Sequence, residues 1–125
     1  MSVRVQVVAV WVTTGWTDVA RLRLWAKQVP TSFCILLTDD VTEANTVLAR
    51  QLKCSDVTVG LIRLPGALRS ADALWKARVR RDEVMVSLAD EVVVFGSDPR
   101  DVETWRRVEA TASKTVTIFH AVEGV

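Results

Sequence analysis

The stretch VRVQVVAVWV, residues 3–12, decides the fold. Valine dominates it, and β-branched side chains are stiff at χ1 and fit a pleated surface better than a helix. The apolar character is almost continuous where a half-exposed strand would alternate, so the segment reads as a strand covered on both faces. A strand buried on two sides needs helices above and below it, which implies a parallel sheet inside an α/β sandwich.

The rest of the chain repeats that unit. Thr13-Thr14-Gly15-Trp16 reads as a loop and Thr17 as a helix N-cap. Val19, Leu22, Ala26 and Val29 then recur at helical spacing until Pro30. FCILL, residues 33–37, is the second strand, followed by a helix whose apolar face is Ala44, Val47, Leu48, Gln51 and Leu52. Residues 57–62 are the third strand, and Pro65 and Gly66 mark a loop. Ser70 caps a long helix reaching Leu88. EVVVF, residues 91–95, is the fourth strand, and Asp98-Pro99 is a favoured helix start. A helix with Val102, Trp105, Val108 and Ala112 on one face precedes the fifth strand, residues 115–119. Five strands alternate with four helices and no hairpin signal lies between them. The expected architecture is a single domain over residues 1–125, a three-layer Rossmann-like fold with a five-stranded, mainly parallel sheet.

Composition narrows function only by exclusion. The 125 residues are half hydrophobic and a quarter charged, with formal net charge +1. That is a globular composition with no bulk bias towards nucleic acid or an acidic substrate. The first apolar segment is too short to span a bilayer, contains Arg4 and is followed by no small-residue cleavage pattern. A cytoplasmic protein without membrane attachment is expected. Cys34 and Cys54 form neither a disulfide framework nor a metal site, and the single histidine, His120, excludes zinc motifs that need two.

In open α/β sheets, ligands bind beyond the carboxyl ends of the strands, near the point where strand order reverses. That rule selects residues 13–16, 38–42, 63–69 and 96–98, and His120. Helices opening there are expected to present unpaired N–H groups to a phosphate or carboxylate.

Three segments in these places carry a family likeness: Thr14-Gly15-Trp16-Thr17-Asp18; Asp39-Asp40-Val41-Thr42-Glu43-Ala44-Asn45 with Leu48-Ala49; and Arg81-Asp82-Glu83-Val84-Met85 followed by Ala89-Asp90 before the fourth strand. Their order and spacing resemble the SLOG superfamily, the Rossmann-like nucleotide-binding domains that include the LOG and DprA proteins, and within it the small proteins of the YspA type. The resemblance implies a nucleotide or nucleotide-derived ligand, a homodimer, and a ligand site at Thr14, Gly15, Trp16, Asp39, Asp40, Asn45, Arg81, Asp82, Gly96 and Ser97. Departures from the pattern are chemical. Asp39, Asp40 and Glu43 stand where phosphate-cradling glycines occur in the family, and their charge repels phosphate. The Pro-Gly-Gly-x-Gly-Thr-x-x-Glu motif of the phosphoribohydrolases is absent.

Each candidate has a plainer reading beside it. Trp16 can stack on a base or pack on the rim of its turn. The Asp39-Asp40 pair can hold Mg²⁺ or a ribose hydroxyl, or simply cap a helix; no cofactor is otherwise required. Glu103, in the first turns of the fourth helix, is the candidate nucleophile if the protein acts on N-glycosidic bonds as a hydrolase or transferase, like the deoxyribosyltransferases. Arg63, Arg69, Lys76, Arg78, Arg80 and Arg81 make a basic stretch that could track a nucleic-acid backbone. Trp11, Trp25, Trp75 and Trp105 read as core or interface residues, with Trp75 the expected dimer contact. The leading expectation is a non-catalytic binding module serving as a sensor, carrier or sequestering protein. Its alternatives are the N-glycosidic enzyme and a nucleic-acid or protein interaction domain that has lost the pocket.

Overall fold

The computed structural model describes residues 5–13, 15–38, 42–64, 69–96 and 99–120, the side chains of residues 99–101 and 120 excepted. Strands β1 (Gln6–Val12), β2 (Phe33–Thr38), β3 (Thr58–Ile62), β4 (Glu91–Gly96) and β5 (Thr115–His120) alternate with helices α1 (Val19–Gln28), α2 (Glu43–Cys54), α3 (Ala71–Leu88) and α4 (Pro99–Ala112). All neighbouring strands are parallel, in the order β3-β2-β1-β4-β5. The expected α/β Rossmann-like sheet is therefore what the chain forms.

The continuous valine pattern of β1 is explained by its central place. Val8 and Val10 point into one core with Leu22 and Ala26 of α1 and Leu48 and Leu52 of α2. Ala9 and Trp11 point into the other, with Met85 of α3 and Val92 and Val94 of β4. Because side chains alternate along a strand, β1 feeds both cores at once and cannot afford a polar face. Asp90 strengthens the junction of β1 and β4: its N–H donates to Val7 O at 2.7 Å, and its Oδ2 accepts from Val7 N at 2.9 Å.

The outer edge of β5 is closed by side chains of α4. Glu109 Oε2 accepts from Val116 N at 3.1 Å, and Arg106 Nη1 donates to Val116 O at 3.1 Å. Those backbone groups would otherwise be a template for a further strand.

Local signals differ from expectation in two details. The N-cap of α1 is Asp18, whose Oδ1 accepts from Arg21 N at 3.1 Å, not Thr17. The turns after α2 and α4 use Asp56 (φ 59°) and Ser113 (φ 53°) in the left-handed region where glycine is easier.

Candidate functional site

Strand order reverses between β1 and β4: the chain moves outward through β2 and β3, then crosses back to β4 and β5. The crevice beyond those two strand ends is the ligand position for this topology. Pairing persists to its lip, where Thr13 N donates to Phe95 O at 3.0 Å. Just past it, the N–H of Trp16 turns back to Thr13 O at 3.0 Å, which leaves Gly15 exposed at the tip of the turn. Gly96 closes β4 on the other side and is buried.

Thr13 Oγ1 at this lip is buried and has no hydrogen-bond partner among the described residues. A hydroxyl desolvated without compensation costs roughly 1–3 kcal/mol, so its presence at the switch point is informative. On the α1 side the lip is aromatic. Phe95 and Phe119 stack at 5.0 Å, and Trp16 and Trp25 meet Phe95 edge-on at 5.3 and 5.6 Å. The guanidinium of Arg21 lies 5.2 Å over the Phe119 ring and 5.9 Å over Trp16, bringing a cation to this end of the sheet.

The described residues among those selected from the sequence fall in more than one place. Gly15 and Gly96 border this crevice, whereas Thr14, Asp39, Asp40 and Ser97 lie outside the described residues, and with them the candidate Mg²⁺ pair. Trp16 is 5% exposed and belongs to the α1-side core, with its indole N–H donated to Asp18 O at 2.9 Å. Asn45 is buried between α2 and the end of β2, its Nδ2 donating to Thr38 Oγ1 at 3.0 Å and to Thr38 O at 3.3 Å. It locks a strand end to the helix that follows.

Arg81 and Asp82 occupy the α3 side of the sheet. Asp82 Oδ1 accepts from Trp11 Nε1 at 3.0 Å and from Arg81 Nε at 3.2 Å. The Arg81 side chain is only 6% exposed and borders a cavity of about 270 Å³ with Arg63 and Arg80, at the end of β3. Glu103 stands in the open, 69% exposed and bonded to Arg107 Nη2 at 2.6 Å. His120 ends β5 beside Gly96, in register with it.

At the starts of α1, α2 and α3, one of the N–H groups is already engaged by a side chain. Asp18, Thr42 and Ser70 already accept from the third-residue N–H of α1, α2 and α3. Among the described residues there is no group of three metal-binding side chains, and no helix is long and apolar enough to cross a membrane.

A wide groove was not foreseen from the sequence. It lies between α3 and α4, encloses about 710 Å³, and is lined by Val79, Val86, Trp105 and Val108 with Asp82 and Glu83 at its border. The signal for it was present: α3 carries apolar residues around most of its circumference, and such a helix is built to be covered. No protein-family model, curated protein or solved structure matches the chain.

Proposed function

We propose that the chain is a cytoplasmic, non-catalytic module that binds a nucleotide or nucleotide-derived ligand in the crevice between β1 and β4. The observation that carries this reading is the buried hydroxyl of Thr13, without a partner among the described residues, at the switch point of the sheet. A ligand oxygen or amine reaching that lip would satisfy Thr13 and recover its desolvation cost. Gly15 leaves the turn open for close approach, and Arg21 supplies positive charge for an anionic group.

The N-glycosidic enzyme has less support. A carboxylate acting at an oxocarbenium-like centre works in a protected site, whereas Glu103 is solvated and ion-paired. Self-association, which the SLOG resemblance implies, concerns a different surface, the α3–α4 face.

Titration calorimetry with AMP, ATP, NAD⁺ and a cyclic dinucleotide tests the reading. At least one should bind, and Thr13→Val should lose at least tenfold in affinity while remaining folded. Absence of heat from every ligand at millimolar concentration, in a sample with a cooperative melt, would sink it.

A further inference from the structure

The first half of α3 has little to pack on. From Ala71 to Arg80 no residue is buried, and Trp75 is 65% exposed, with Val79 exposed one turn further on. An indole held in water forgoes one of the largest burial gains any side chain offers. On helix geometry Trp75, Val79 and Val86 share one flank of α3, and that flank forms a wall of the groove whose other wall is Trp105 and Val108 of α4. The groove and the tryptophan are therefore parts of one surface.

Charge says what covers it. Along α3, after Asp72 in the first turn, the signs separate: Lys76, Arg78 and Arg80 come first, then Asp82 and Glu83, with Arg81 buried between the two groups. A parallel neighbour of the same sequence would set like charges side by side. An antiparallel one sets opposite charges together. A two-fold axis passing between Val79 and Arg80 relates position 76 to 83, so Lys76 of each copy meets Glu83 of the other. The same operation carries Trp75 to the level of residues 83–86, where the partner's groove opens. Such an interface is isologous, each contact occurring twice. The competing local ion pair, Lys76 Nζ to Asp72 Oδ2 at 3.1 Å, has side chains 71% and 73% exposed and offers little resistance to exchange.

Size is compatible. Eighteen residues of α3 span about 27 Å, and two helices side by side are about 20 Å wide, a projected footprint of about 500 Å² per copy. Real surfaces are corrugated, so the accessible area removed approaches the roughly 800 Å² per partner of a standard interface.

We infer that this face binds a second copy of the chain: α3 pairs antiparallel with its symmetry mate across a two-fold axis, each Trp75 entering the other's α3–α4 groove and each Lys76 pairing with the other's Glu83. The crevice between β1 and β4 opens at the strand ends and not on this helical face, so the dimer and ligand binding are independent claims.

Sedimentation velocity between 1 and 200 μM, with circular dichroism on every variant, tests it. Wild type should sediment as a dimer and Trp75→Glu as a folded monomer, because both the exposed indole and its substitute lie outside the core. Lys76→Glu and Glu83→Lys should each weaken dimerisation at least tenfold by facing like charges. The double exchange K76E/E83K should restore it. A wild type that stays monomeric to 200 μM overturns the proposal. So does a dimer indifferent to Trp75→Glu, or a double exchange no better than the single ones. Should added duplex DNA, and not a second copy, be what Trp75→Glu releases, the occupant named here is wrong.

Discussion

Asp82 is the residue whose removal tests the α3 side of the structure most directly. One oxygen of it, Oδ1, accepts from Trp11 Nε1 at 3.0 Å and from Arg81 Nε at 3.2 Å. Both donors are buried, whereas the Asp82 side chain is 39% exposed and sits at the groove's border. Asp82→Ala leaves the indole N–H without this acceptor, a cost of about 1–3 kcal/mol, and removes a charge-assisted bond worth about 1.5–3 kcal/mol. The two share an oxygen and water reaches the mouth of the site, so the sum is discounted to about 3 kcal/mol. Asp82→Asn keeps an acceptor for Trp11 and loses the charge, for about 1 kcal/mol. With an unfolding entropy of about 2.1 cal/mol/K per residue, 125 residues give about 0.26 kcal/mol/K. The expected falls in Tm are then about 11 °C for alanine and about 4 °C for asparagine. Urea unfolding followed by circular dichroism reads the free energies, with thermal melts as a cross-check. If Asp82→Ala lies within 1 kcal/mol of wild type, or the two variants are indistinguishable, the buried network does not have the weight assigned to it.

Thr13→Val should leave stability unchanged or raise it by about 1 kcal/mol, since it deletes a buried hydroxyl without a partner among the described residues; a loss above 1 kcal/mol in urea unfolding would mean that the hydroxyl is satisfied. Ser113→Gly relieves a left-handed backbone at φ 53° and should gain about 1 kcal/mol, read as a higher urea midpoint with unchanged m-value. Leu48→Ala empties a fully buried position between α2 and the sheet and should cost about 2–5 kcal/mol in the same assay. Glu109→Ala uncovers the outer edge of β5; the expected outcome is a modest loss of stability and faster aggregation in light scattering at 37 °C than the wild type shows.

The elements of the fold were legible because the strands at its centre have no choice of pattern. β1, β2 and β4 are buried on both faces, and a valine or leucine run bounded by Gly15, Pro30 or Asp90 has few other readings. Alternation could not give strand order, which is set by the long return from β3 to β4 across the sheet. Trp16 shows a similar limit: its neighbours Gly15 and Thr17 mark a loop, but Phe95, seventy-nine positions away, draws the ring inside. The partners of the α3 pair were out of reach for the same reason. Arg81 and Asp82 open a family-like segment in sequence, yet the partner of Asp82 besides Arg81 is Trp11 on β1, seventy-one positions away. The groove escaped notice because a helix apolar on most sides gives no periodic signal to say which side faces the core.

Natural sequences agree with their folds at nearly every level, so the few positions that disagree point to function. In the described part of this chain two such disagreements bear on binding. At the lip of β1 a threonine hydroxyl is buried without a partner among the described residues, although valine, the residue just before it, has the same shape and no hydroxyl. Along the first half of α3, a tryptophan and a valine face water on a helix that could have carried lysine or glutamate there. The first cost is recovered when a polar ligand arrives, the second when apolar surface does, so no single occupant relieves both. The two lie at different places on the domain, one at the strand ends and one on the α3–α4 face. This separation makes the claims independently refutable: Thr13→Val should weaken binding at least tenfold in a protein that still dimerises, and Trp75→Glu should give a monomer that still binds. A variant set in which the two properties always fall together would require one shared site, and the strand order and the position of the groove both speak against that.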